Sequence, residues 1–320
     1  MVSFAVSACT TINFKEPVTS YTTAMSESAA VFTDYYIQQN EMARTFYFMQ
    51  IRYHADKHIQ LTDESGMHTA LYFKYSPEGI KARTDAIRLI GAYGNKLAVM
   101  AGADSPQRIS DSSGGILASV SGLESSFAAL SGSEATYKSA FAKGSGELVS
   151  AVAKMYAEKL QQDALKEAID TGHSAVNLLL ITLQKDLKDF STKNQKMYNT
   201  QLADLVFIYN LDVDARSLSM HSGQPLRNRD TKKPQVTILT ESQRLALMTQ
   251  AQSSAALYEG SVANRPDEVI AAMIKANNDL YAFSQNPREK NSLVALNSSL
   301  ETFNARIRPF VEFYTLNRNN

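Results

Sequence analysis

VTSYTTAMSESAAVFTDYYIQQNEMARTFYFMQIRY, residues 18–53, is the stretch whose reading decides the fold. Its apolar positions run Val18, Tyr21, Met25, Phe32, Tyr35, Met42, Phe46, Met49 and Tyr53, with Ser28 and Gln39 filling the two remaining places. The steps alternate three and four residues, the spacing that aligns side chains on one stripe of an α-helix. A helix of about 35 to 40 residues is expected here. A polar residue in such a stripe fixes register at some cost in stability, a role open to Ser28 and Gln39.

The same alternation returns near the C-terminus as Leu293, Leu296, Leu300, Phe303, Ile307, Phe310 and Tyr314. Asn286-Pro287-Arg288-Glu289 is expected to start that helix with a cap, a proline at the first helical position and a capping-box glutamate. Pro309 sits inside the stripe and is expected to bend or end the helix. Glu147 to Tyr209 contains no proline, and Val176, Leu183, Phe190 and Met197 recur at heptad spacing beside Leu180 and Leu187. Read as one helix this is about 60 residues and about 90 Å long, with Gly172 as its weak point. Shorter helices are expected from Ser76-Pro77-Glu78 to about Ala103, from the capping box Thr240-Glu241-Ser242-Gln243 to near Gly260, and from Pro266-Asp267-Glu268. Long helices need partners along the whole stripe. The expected fold is therefore all-α, an elongated antiparallel helical bundle with long coiled-coil-like helices.

Three regions depart from this pattern. Residues 59–75 place Asp63-Glu64-Ser65-Gly66 between Ile59/Leu61 and Leu71/Phe73/Tyr75, which reads as a small hairpin. Residues 101–146 are dominated by Gly, Ala and Ser, suited either to a thin helix of close approach or to a mobile connection. Residues 210–239 form a polar loop in which Arg227, Arg229, Lys232 and Lys233 precede Gln235-Val236-Thr237-Ile238-Leu239, a run able to pair as a short strand. The domain layout is then a truncated signal and linker over 1–17, one elongated helical-bundle domain over 18–316, and a tail at 317–320.

Composition narrows the partners. With 32 basic and 32 acidic residues the formal charge is zero, so no global field draws the chain to nucleic acid. The basic cluster at 227–233 reads as a solvated loop, without the aromatic interleaving of single-strand binding sites. At 320 residues and 44% apolar content the chain can bury a core without staples. Its one cysteine cannot form an internal disulfide. No apolar run approaches the roughly 18 to 20 residues of a membrane-spanning helix.

Motifs that would carry chemistry fail on inspection. His54 and His58 share a helix face at a chelating spacing, and His68 can join through a turn. Ala55 stands where a zincin needs glutamate, so His54 and His58 are read as surface histidines. Asp170-Thr171-Gly172-His173 is a single, altered approach to the paired Glu-x-x-His of di-iron bundles. Gly172-His173-Ser174-Ala175-Val176 lacks the final glycine and the preceding strand of a nucleophile elbow. Asn210, Asp212 and Asp214 open like a calcium loop, but Ala215 and His221 occupy its glycine and glutamate places, so a helix end leading into a loop is expected there. No phosphate-binding glycine loop is present, and no cofactor is expected.

Val6-Ser7-Ala8-Cys9-Thr10-Thr11 resembles the processing site of bacterial lipoproteins: an aliphatic residue and two small residues before the cysteine. Met1 to Val6 reads as the second half of an apolar signal core. The resemblance implies cleavage before Cys9, acylation of its thiol and new amino group, and, because Thr10 is not aspartate, an outer-membrane destination. The expected function is a non-enzymatic envelope lipoprotein on the periplasmic side, a helical adaptor, spacer or protein-interaction module. Its expected partners are a membrane, through the anchor on Cys9, and an unidentified envelope protein. The 59–75 hairpin and the loop carrying Arg227, Arg229, Lys232 and Lys233 are the expected partner-binding places. An alternative is a membrane-active helical protein inserting residues 114–132, and a third is an enzyme with an unrecognised site. The same heptads are satisfied by an intramolecular helix or by a second copy, so a homo-oligomer stays open.

Overall fold

Local chemistry sets the helix boundaries. The Ser76 hydroxyl accepts the N–H of Gly79 at 2.8 Å, and Pro77 takes the first helical position, where its missing N–H costs nothing. In this computed structural model, which describes residues 14–53, 75–102, 126–127, 130, 132–157, 162–222 and 238–316, seven α-helices carry the fold. They are α1 (Lys15–Tyr53), α2 (Pro77–Met100), α3 (Lys138–Ala157), α4 (Gln162–Ser222), α5 (Glu241–Ala263), α6 (Pro266–Gln285) and α7 (Lys290–Leu316). A short 3-10 turn, Gly132–Tyr137, leads into α3. No strand occurs among the described residues, and the chain is an all-α helical bundle. The hairpin expected over 59–75 lies outside them but for Tyr75, as do most of the small-residue stretch before α3 and the candidate insertion segment apart from a few residues.

The chain groups into two compact units. Met1–Gln38, Tyr75–Leu187 and Pro266–Asn320 make the first; Gln39–Lys74 and Lys188–Arg265 make the second. Helices α1 and α4 contribute residues to both.

In the first unit the α1 stripe is the core. Val18, Tyr21, Met25, Ser28, Phe32 and Tyr35 are all buried, and Ser28 satisfies its hydroxyl on the Ala24 carbonyl at 2.7 Å. Antiparallel α6 meets this stripe through Phe14–Phe283, with ring centroids 5.0 Å apart, and through the Tyr21 hydroxyl, which donates to Asn277 Oδ1 at 2.9 Å. The C-terminal stripe on α7 packs beside it, Phe32 against Phe310 at 5.0 Å and Tyr35 against Tyr314 at 5.1 Å. Gln38 donates to the Tyr314 carbonyl. On α2, the Gly94 carbonyl accepts the Thr22 hydroxyl at 2.8 Å. In the second unit Gln39 is buried and accepts the Tyr198 hydroxyl at 3.4 Å.

The deepest charges lie between α2 and α4. Arg83 donates Nε–H to Asp186 Oδ2 at 2.6 Å and Nη2–H to Oδ1 at 2.8 Å, a bidentate pair sealed from water. A further N–H goes to the Gly79 carbonyl at 2.9 Å, and the guanidinium sits 4.7 Å from the centre of the Tyr75 ring. Burial, helped by the Asp186 charge and opposed by Arg83, pushes the Tyr36 phenol well above its ordinary range.

Several boundaries differ from the expectation. The long helix starts at Gln162 instead of Glu147 and runs 61 residues to Ser222, so residues 210–222 of the expected polar loop are helical. Asp212 is buried there and is held by Arg216, Arg244 and the Leu239 N–H, which keeps the last turns in place. Pro309 does not end α7, which continues to Leu316 because Phe310 and Tyr314 are buried against α1. Asn286 is not the cap of α7: the Glu289 N–H donates to the Asn286 carbonyl at 3.1 Å, closing a turn, and the helix begins at Lys290. Leu293, the first member of that stripe, is 36% exposed. Helix α2 stops at Met100 because Gly102 adopts φ 83°, a left-handed conformation that glycine takes without strain. Ile238 and Leu239 lie in no strand.

Gly172 is no weak point. It lies inside α4, where a Cβ would stand 2.3 Å from the Tyr93 ring. Tyr93 is buried against that bare backbone and donates to the Ala168 carbonyl at 3.2 Å. Helix propensity alone favours Gly172→Ala by about 1 kcal/mol, whereas overpacking costs about 1–3 kcal/mol. Gly172→Ala is expected to lower the urea midpoint, and adding Tyr93→Leu is expected to make the alanine tolerable. A rise in stability from Gly172→Ala alone would contradict this packing.

Candidate functional site

The junction of α4 and α5, within the second unit, is built around one carboxylate. Asp212 lies on α4 and is 1% exposed. It accepts the Arg216 Nε–H at 2.9 Å from one turn along the helix and the Leu239 backbone N–H at 2.7 Å. Arg244, on α5, brings its Nε to 3.1 Å of the same carboxylate. Arg216 also donates to the Leu239 carbonyl. The start of α5 is closed by its capping box, with the Thr240 N–H on Gln243 Oε1 at 2.8 Å and the Gln243 N–H on Thr240 Oγ1 at 3.3 Å. Arg244 completes the clasp by donating to the Tyr209 hydroxyl at 3.0 Å. Asp212 thus ties the two ends of the 223–237 connection together. Asn210, Asp212 and Asp214 are helical, so the expected helix end at these positions is corrected, and Asp212 is occupied by its arginines.

Above the clasp the hairpin has a thin core: Leu205, Leu239 and Leu247, with Ile208 and Ala251 packed against them. Only Leu247, Ser254 and Ser261 of α5 are buried. The apolar residues left over face outward. Val206, Phe207, Leu245 and Met248 are 47%, 58%, 66% and 50% exposed. Val206 and Met248 line an open apolar groove of about 280 Å³ whose walls include Tyr209 and Ala251. On α5 the outward stripe runs Leu245, Met248, Gln252, Ala255 and Val262 at alternating three- and four-residue steps, with Glu241 and Glu259 on the same stripe. At 1.5 Å per residue these carboxylates stand about 27 Å apart along the helix.

The residues singled out from the sequence fall elsewhere. Cys9, His54, His58, Arg227, Arg229, Lys232 and Lys233 all lie outside the described residues. His173 is in the first unit, inside α4. Its ring stacks on Tyr281 at 4.2 Å, and Nε2 lies 2.8 Å from Asn278 Oδ1 and 3.0 Å from Asn177 Nδ2. It belongs to an asparagine array joining α4 and α6, in which Asn277 donates to Asn177 Oδ1 at 3.0 Å. Among the described residues no group of three His, Cys, Asp or Glu side chains is placed to hold a metal ion. No described helix is long and apolar enough to cross a membrane. Sequence reading missed the α4–α5 face, although the near-absence of a one-sided apolar pattern in α5 was its signal.

Comparison with protein-family models, with curated proteins and with solved structures finds no match to this chain.

Asp212→Ala is expected to remove three polar contacts at once and to cost about 2 kcal/mol, the scale of a hydrogen bond to a charged group. Hydrogen exchange should report it locally: the Leu239 amide, deprived of its acceptor, exchanges at least tenfold faster, while the Thr22 and Arg83 region of the first unit is unchanged. An unaltered Leu239 amide would show that the clasp does not hold the junction.

Proposed function

We propose that this chain is a non-enzymatic, lipid-anchored protein of the bacterial cell envelope, whose α4–α5 hairpin docks an amphipathic helix of a partner protein. The observation carrying the adaptor reading is the outward apolar stripe around Val206 and Met248. A cluster of exposed large apolar side chains on paired helices is what helix-in-groove recognition uses. Glu241 and Glu259, near the two ends of the stripe, favour a partner helix with basic residues flanking its apolar face. Glu241 makes only peripheral contacts to Arg216 at 3.8 Å and Arg244 at 3.4 Å, and it stays 80% exposed. The prominent described charges have structural duties: Arg83 and Asp186 hold each other, and Asp212 holds Arg216 and Arg244. This favours a scaffold over a catalyst.

The envelope address rests on the lipobox-like Val6-Ser7-Ala8-Cys9. Acylation of Cys9 would place the protein on the periplasmic side of the outer membrane, with the bundle presenting its docking face to an envelope partner.

Two measurements test this reading. Expressed with its upstream region in a bacterial host, the mature protein is expected to yield an acylated N-terminal peptide beginning at Cys9; an unmodified Cys9 thiol overturns the anchor. A photoreactive residue at Met248 is expected to cross-link a basic amphipathic helix of one envelope protein, and one at Glu301 is expected not to. Adducts at the mass of two copies of this chain would replace the partner with a self-interface. No adduct above the Glu301 background would remove the docking face.

A further inference from the structure

Pro309 leaves a mark on α7 beyond its position. Lacking an N–H, it cannot donate to the carbonyl four residues back, which belongs to Ala305. Ala305 and Pro309 both line an open groove of about 570 Å³ between α1 and α7 in the first unit. The orphaned acceptor therefore belongs to a residue of that groove's wall, in a helix that continues past the proline because its other face is buried.

The facing wall of α1 carries Thr19, Ser20 and Thr23. Elsewhere on α1 hydroxyls fold back onto carbonyls four residues earlier: Thr22 on Val18 at 2.8 Å, Ser28 on Ala24 at 2.7 Å, Thr33 on Ala29 at 3.0 Å. The Thr19 hydroxyl does not; it is buried and has no hydrogen-bond partner among the described residues. The groove's walls thus hold an unpaired hydroxyl just behind the surface and a helix carbonyl that has lost its donor. A buried hydroxyl left unpaired in this way costs about 1–3 kcal/mol, whereas the Ala305 carbonyl, in an exposed residue, is open to a ligand's donor.

Two charges complete the lining. Glu27 and Arg308 both face the groove and are exposed, yet they form no ion pair with each other. A nearby charge on α7 does pair, Arg306 with Glu268 of α6 at 2.7 Å.

From this juxtaposition we infer that the α1–α7 groove is a binding site for a small zwitterion bearing a carboxylate and an ammonium group, of free amino acid to short peptide size. The carboxylate meets Arg308, for which a guanidinium offers paired donors. The ammonium, with three donors and no acceptor, meets Glu27 and the Ala305 carbonyl. The Ser20 and Thr23 hydroxyls on the facing wall take further polar atoms of the ligand. The volume suits such ligands, since small-molecule sites span about 300–1,000 Å³. The site stands apart from the α4–α5 face and does not depend on it.

The test uses trialanine as the zwitterion, free alanine as the smaller source of the same chemistry, and N-acetyl-trialanine amide as a capped control. Amide resonances of the full chain are followed by NMR. Trialanine or alanine is expected to shift Thr19–Thr23 and Asn304–Arg308 saturably, and the one that binds more tightly identifies the source; the capped peptide is expected to leave them in place. Glu27→Gln and Arg308→Gln, both at exposed positions, are each expected to weaken binding about tenfold, equivalent to about 1.4 kcal/mol. Pro309→Ala is the sharpest variant. It restores the N–H that the Ala305 carbonyl lacks, so it is expected to raise the melting temperature while weakening binding. Equal shifts from the capped peptide, no saturable shift from either zwitterion, or undiminished binding by Pro309→Ala would each overturn the site.

Discussion

A guanidinium sealed from water must be given a counter-charge and donors' partners, and in this protein that requirement joins α2 to α4. Arg83 and Asp186 are separated by 103 positions in the chain and meet in a bidentate pair at 2.6 and 2.8 Å. Removing both charges in favour of apolar groups is often tolerated, but stranding one costs about 3–5 kcal/mol. The pair therefore penalises every register of α2 on α4 except the one that joins it. Tyr93 against Gly172 supplies a second fixed point along the same two helices. With α2 so placed, Thr22 reaches the Gly94 carbonyl and the α1 stripe closes over the core.

Much of the architecture was legible because it is periodic or capped. The run from Val18 to Gln39 is buried as its spacing implies, and Ser76 and Thr240 cap their helices as their neighbours dictate. What escaped the sequence depended on contacts distant along the chain. Asp212 to Ser222 is polar enough to read as a loop; Arg216 meets Asp212 within the helix, but Arg244 and Leu239 reach it only after α5 has folded back. Pro309 reads as a bend or an end, and the helix runs on past it because Phe310 and Tyr314 gain burial beyond it. Gly172 reads as a weakness until the ring of Tyr93 is placed against it.

The candidate surfaces were harder to see for a related reason. Val206 and Met248 look in the sequence like ordinary core positions, and only the folded hairpin reveals that neither is covered. The hydroxyls of Thr19, Ser20 and Thr23 are equally unremarkable until α7 brings Ala305 and Pro309 opposite them. Each surface lies within one unit: the apolar stripe on Lys188–Arg265, the polar groove between the N-terminal part of α1 and α7. One protein thus carries an apolar, helix-sized face and a separate polar groove.

The measurement that bears most directly on this account is a double-mutant cycle at the central pair, read by urea denaturation of the whole chain. Arg83→Met and Asp186→Leu are each expected to lose about 3–5 kcal/mol, and the double variant to recover to within about 1 kcal/mol of the parent. Single variants that cost less than about 1 kcal/mol, or costs that simply add in the double variant, would show that α2 and α4 are held in register by something other than the buried pair.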